Sequence, residues 1–234
     1  MSQMIRKTLR PAAVLGAALL LAACGGADTD TQTTATTSTA ATGERSQWER
    51  ADDHAIGNPD ASVVMVEYAS VSCPACAVWH NTVYPDIKKK YIDTGKVRFI
   101  FREFVASDPT MADTGFKLAL CVPEERYFEN ISQQFKKQAQ FFEFARRRQL
   151  REAYVAFAKQ SGLTEDEFVA CVTNNDLRDQ YMARMQEGVD IGVTGTPAFV
   201  VNGQKVKGSL EDLEAAILPL LGEDAPAPAP ESAE

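Results

Sequence analysis

Cys73 and Cys76 are two thiols separated only by Pro74 and Ala75, and this spacing suits a pair that can be joined and parted as a disulfide without unfolding the chain. A proline directly after the first cysteine fits the first position of a helix, where its missing N–H costs nothing. Cys73 then occupies the N-cap. Its sulfur would face unpaired backbone N–H groups and the positive end of the helix dipole, which favour thiolate over thiol. Cys76, three residues on, falls on the same helical face. The chemistry expected is thiol–disulfide exchange. A plain stapling bridge fits poorly, because so small a loop restricts little chain entropy.

The elements that would position this pair are legible on either side. Val63 to Ala69 is an apolar, β-branched run that reads as a buried strand, with Glu67 its one charge. A helix is expected from Pro74 to about Tyr91, ended by Asp93-Thr94-Gly95-Lys96, and Val97 to Phe104 reads as a second strand. A crossover of that length allows a parallel pair. The next stretch lacks strand pattern. Asp108-Pro109 starts a helix, Pro123 marks a break, and Thr164 to Glu167 has capping-box spacing. Strand character returns at Ala198 to Val201, followed by the hairpin signal Asn202-Gly203, Gln204 to Val206, and a last helix from Ser209 to Leu221.

The chain has 234 residues, 45% hydrophobic and 24% charged, with a net charge of −8. That is enough for one sizeable domain, and the acidic balance argues against a nucleic-acid partner. The Arg146-Arg147-Arg148 cluster reads as a solvated helix face. At the N-terminus, Arg6, Lys7 and Arg10 precede a short apolar run from Pro11 to Ala22, the pattern of a secretory signal too short to span a bilayer. Leu21-Ala22-Ala23-Cys24 resembles a bacterial lipobox, with Cys24 the lipidated residue. Residues 1–23 are then a signal peptide, 24–47 a disordered tether of Gly, Ala, Thr and Asp, and 222–234 a disordered acidic Ala/Pro tail. With Cys24 spent on lipid, four thiols remain and allow three pairings. Proximity joins Cys73 to Cys76 and leaves Cys121 with Cys171, and an exported chain lives where bridges persist.

Cys73-Pro74-Ala75-Cys76 after a strand, a helical insertion, and Val193-Thr194-Gly195-Thr196-Pro197 before a hairpin together resemble the DsbA family of exported thiol–disulfide oxidoreductases. The resemblance covers roughly residues 55 to 221. It implies an α/β thioredoxin fold interrupted by an inserted helical domain, with the thioredoxin parts at 48–106 and 189–221 and the insertion at 107–188. It also implies that Cys73 is the attacking or attacked sulfur and Cys76 the buried resolving partner. Pro197 matches the family's cis-proline, and Thr196 would face substrate. Glu67 matches a buried acid able to shuttle a proton to Cys76. Cys121 and Cys171 resemble a structural bridge of some relatives.

One departure stands out. Ala75 occupies the place where the best-known members carry a histidine that helps hold the thiolate, which bears on oxidising strength. His80, further along, is expected to be an exposed helix residue, and Trp79 to serve packing. No cofactor and no metal are implied. The expected partners are reduced or misoxidised exported proteins, a membrane quinone-linked reoxidase (an electron donor if the protein is a reductase), and the membrane through the lipid. The chain is expected to be a monomer in the periplasm, anchored to the outer membrane because Asp does not follow Cys24. A reductase or isomerase of the same fold is the nearest rival. A copper- or peptide-binding lipoprotein using the same thiols is the rival of another class: soft thiolates suit Cu(I), but no methionine or histidine cluster accompanies them.

Overall fold

The computed structural model describes residues 47–223. The expected signal peptide, Cys24, all but the last residue of the expected tether and the tail beyond Glu223 lie outside the described residues. Strand β2 (Val63–Ala69) is buried along its whole length. It lies at the centre of a five-stranded sheet of order β1-β3-β2-β4-β5, where both faces are covered and an unbroken apolar run is what such a position requires. It pairs parallel with β3 (Val97–Glu103) and antiparallel with β4 (Ala198–Val201). β5 (Gln204–Val206) closes a hairpin on β4. Its turn residues, Asn202 and Gly203, have φ of 43° and 81°, the positive values a tight two-residue hairpin turn demands.

The strand β1 (His54–Ile56) was not expected from sequence. It adds antiparallel to the outer edge of β3. Three residues are too few to show a period, and the free edge of β3 is what makes them a strand.

The strand's period of two sorts its side chains. Val63, Met65 and Ala69 join the core that includes the helix carrying Cys76, while Val64, Val66 and Tyr68 join a smaller cluster with Ile100, Val193 and Val200. Glu67 falls by parity on the side of Met65 and Ala69.

The helix expected from Pro74 to Tyr91 is broken. α1 (Pro74–Thr82) ends at Val83, α2 (Tyr84–Ile87) follows, and Lys88–Ile92 forms a π-helical turn. Pro85 is the cause, since it has no N–H to give and its ring crowds the carbonyl four residues back. Between β3 and β4 lie α3 (Pro109–Cys121), a 3-10 turn (Glu124–Arg126), α4 (Tyr127–Arg146), α5 (Leu150–Gln160), α6 (Glu165–Thr173) and α7 (Asn175–Asp190). Asp108 caps α3 by accepting from Met111 N at 2.9 Å, and Thr164 with Glu167 completes the capping box on α6. These helices have their own core, built on Met111, Leu118, Phe141, Tyr154, Phe157 and Phe168. α8 (Leu210–Leu220), capped by Ser209, ends the described fold. Arg146 and Arg147 are exposed and paired with Glu143, a solvated face.

Candidate active site

The turn from β2 into α1 presents Cys73 at the N-cap, with extended backbone dihedrals (φ −86°, ψ 117°) and its sulfur accepting from Cys76 N at 3.3 Å. The thiols are not joined in this structure. Across from them, Thr196–Pro197 is a cis peptide, and the Cys73 thiol donates to the Thr196 carbonyl at 3.4 Å. Residues 192–200 of this loop and β4, with Lys205 and Val206, line a groove of about 430 Å3. Pro74 and Ala75 are exposed beside it, whereas Cys73 is 4% and Cys76 0% exposed.

The two thiols are held in opposite states. A hydrogen bond from the Cys76 thiol is the largest influence on Cys73. Contacts from Thr196 and the backbone N–H groups of Cys76 and Ala75 add to it, and together they outweigh burial and bring Cys73 down to about 6. Burial pushes Cys76 far above the ordinary thiol range, helped by its bond to Cys73 and by the negative charge of Glu67. Such a pair has one sulfur ready to be a thiolate and one that holds its proton.

The loop before Cys73 is fixed from several sides. Ser72 Oγ donates to the Ala106 carbonyl, and Cys73 N donates to Ser70 O at 2.9 Å. Gln138, on α4, donates to the carbonyls of Val71 at 2.8 Å and Cys73 at 2.9 Å. Sequence reasoning missed Gln138. The available signal was Gln134 and Gln138, polar residues spaced i,i+4 on a face shared with Ile131 and Phe135.

His80 differs from the expectation of an exposed helix residue. Its side chain is 1% exposed, and its Nε2 lies 2.7 Å from Oε2 of the fully buried Glu67. It stacks on Phe135 of α4 at 4.2 Å between ring centroids. Phe135 of the helical insertion covers His80, while its neighbours Asn81 and Thr82 remain exposed. Trp79 packs on Phe199 and donates to Gly208 O at 2.7 Å. Cys121 and Cys171 form a disulfide between the end of α3 and α6, with Cα atoms 6.2 Å apart.

The chain was compared with known proteins. A family model described as Thioredoxin matches residues 18–218. A Rickettsia bellii protein, provisionally named a protein-disulfide oxidoreductase, is 31% identical over 168 residues, covering 71% of this chain and 63% of its own. The chain spans about six-tenths of the length of the first curated relatives it matches. A Bacillus anthracis protein, provisionally named disulfide bond formation protein D, is 25% identical over 69% of this chain and 75% of its own. Among solved structures, Wolbachia pipientis alpha-DsbA1 superposes with a TM-score of 0.64 at 27% identity, covering 74% of this chain and 93% of that one. A protein-disulfide isomerase of Novosphingobium aromaticivorans gives 0.62 at 25% identity, covering 73% and 98%.

Proposed function

The chain belongs to the thioredoxin family in its DsbA-like form, and from that premise we propose that it is an extracytoplasmic thiol–disulfide oxidoreductase that donates the Cys73–Cys76 disulfide to exported proteins as they fold. The observation that carries this reading is the opposed state of the two thiols, Cys73 brought to about 6 and Cys76 raised by burial. Stabilising the thiolate stabilises the reduced enzyme, and a stabilised reduced form makes its disulfide the stronger oxidant. The histidine replaced by Ala75 is compensated by other hydrogen bonds to Cys73, from the Cys76 thiol, the Thr196 side chain and the backbone N–H groups of Ala75 and Cys76.

In the oxidised enzyme a substrate thiolate attacks Cys73 Sγ. The bond to Cys76 breaks, and a mixed disulfide forms with the substrate. A second substrate thiolate then attacks the substrate sulfur of that bond and releases Cys73 as a thiolate, so that two electrons pass to the enzyme. Thr196 and Pro197 bind the substrate in extended form along the groove, as the family resemblance implies, and Glu67 serves Cys76. The Cys121–Cys171 bridge is structural. Cys24 carries the lipid that holds the protein at the outer membrane, and a membrane quinone-linked partner restores the disulfide.

The test is the reduction potential of the pair in glutathione buffers, together with oxidation of a reduced, unfolded substrate. A potential near the roughly −120 to −180 mV of known oxidants and isomerases, with disulfides appearing in the substrate, is the expected result. A potential near the roughly −270 mV of thioredoxin would reverse the direction and favour the reductase. In a Cys76→Ala variant, mixed disulfides with substrate should accumulate at Cys73, and they should vanish when Cys73 is also replaced by Ser.

A further inference from the structure

Among the described residues, Oε1 of Glu67 and Nδ1 of His80 are two of the buried side-chain atoms that carry no hydrogen bond, and they belong to one contacting pair. Their companion atoms face each other at 2.7 Å. Buried polar atoms normally have partners, and an acid–base pair left open at both ends is arranged to take and give a proton. What lies at each end decides where that proton goes. On one side is Cys76, which sits one helical turn before His80 on the same buried face of α1 and feels the charge of Glu67. On the other is a cavity of about 740 Å3 that His80 lines. Solvent does not touch Cys76, which is 0% exposed. Yet in the proposed reaction Cys76 must gain a proton each time its disulfide is reduced and lose it each time the disulfide is remade.

We propose that His80 is the outer half of a buried proton relay, passing protons between water in this cavity and Glu67, which exchanges them with Sγ of Cys76. The inference rests on the redox reading above and adds the route. When the substrate thiolate breaks the Cys73–Cys76 bond, the electron pair stays on Cys76 Sγ, which takes a proton from the Glu67 carboxyl. The carboxylate is reprotonated through Nε2 of His80, and Nδ1 takes a replacement from the cavity. On reoxidation the proton leaves in the reverse order. One proton enters per disulfide reduced, and no oxidant beyond the disulfide is needed.

The surroundings suit a conduit. The ring of His80 is held between Phe135 of α4 and Tyr84 of α2, with the edge of Phe101 of β3 nearby. The titratable groups facing the pair are therefore few: Cys76 on α1, Tyr84 on α2 and, lining the cavity, Lys88, Asp93, Glu129 and Lys136. Lys88 and Asp93 neutralise each other as an ion pair.

The decisive step is resolution of a mixed disulfide between Cys73 and glutathione. Cys76 must lose its proton, attack Cys73 Sγ and expel glutathione as a thiolate. Its rate would be followed by quenched flow and mass spectrometry, across pH and in heavy water, for the wild type and His80→Gln. Glutamine keeps a donor for Glu67 but cannot carry a proton across its ring. The expected result is a resolution step slowed roughly 100-fold, the lower range for a positioned acid–base group, with a changed pH profile and unaltered Cys73 alkylation. In His80→Ala, imidazole entering from the cavity should restore the rate, and N-methylimidazole, which has one nitrogen free to titrate, should not. A wild-type rate and pH profile in His80→Gln would overturn the relay, as would equal rescue by the two imidazoles. A wild-type protein that cannot resolve the mixed disulfide at all would overturn the redox reading, and the relay with it.

Discussion

Cys73 and Cys76 are chemically identical in the unfolded chain, and the fold makes them different by placing one at a helix start and the other a turn inside. The consequence has a definite sign. Because the folded, reduced protein holds Cys73 at about 6, below the roughly 8.5 of a free thiol, the folded state releases this proton more readily than the unfolded one. The stability that Cys73 contributes is therefore fully present above the unfolded value and is lost as pH falls through about 6. The reduced wild type should gain stability over a Cys73→Ser variant between pH 5 and pH 8, as denaturant unfolding at each pH would record. Iodoacetamide alkylation of Cys73 in the folded protein follows its thiolate fraction and should be half-maximal at about 6. A midpoint near the ordinary thiol value would show that the N-cap, Cys76 and Thr196 together do not hold the thiolate.

α4 reaches from the helical insertion to the active-site turn through one side chain. Gln138 supplies the hydrogen bonds for the carbonyls of Val71 and Cys73, both inside the protein, so the insertion braces the turn as well as covering α1. Replacing Gln138 with Leu leaves the Val71 carbonyl without its partner, while the Cys73 carbonyl keeps the N–H of Ala77 at 3.1 Å. At about 1–3 kcal/mol for an unsatisfied buried group, partly offset by the added apolar contact, a net loss of about 1 kcal/mol is expected in urea unfolding. The exchange reaction should also slow, since the geometry of Cys73 depends on this turn. His80 belongs to the same element contact: without Phe135 of α4 over its ring, it would be a solvated helix residue.

The whole molecule is held by links between distant parts of the chain. Arg184 of α7 donates to Glu103 of β3 at 2.7 and 3.0 Å, and Tyr127 of α4 donates to the same carboxylate at 2.8 Å. That buried cluster ties the insertion to the sheet. The Cys121–Cys171 disulfide spans 50 residues of sequence. By loop-closure entropy, a bridge of that span is worth roughly 4 kcal/mol. A Cys121→Ser, Cys171→Ser variant should unfold at a correspondingly lower urea concentration while still catalysing disulfide exchange through Cys73 and Cys76. Loss of exchange in a variant that remains folded would give the second bridge a part in the chemistry.

Local patterns sufficed for whatever depends on neighbours in sequence. The apolar run of β2, the proline after Cys73, the Asn202-Gly203 turn and the caps at Asp108, Thr164 and Ser209 act within a few residues. They make the order strand, helix, strand, helices, hairpin, helix readable from the amino acids alone, along with the cysteine pair at its first turn. The parity of β2 even put Glu67 on the face of Met65 and Ala69. What needed the folded chain was everything set by a partner far away: β1 as a strand on the edge of β3, the reach of Gln138 to the active-site turn, and the burial of His80. A histidine followed by asparagine and threonine has no local reason to leave water. It does so because a helix 55 residues further along lays Phe135 across it and β2 offers a carboxylate beneath, and burial is decided by what the rest of the chain brings.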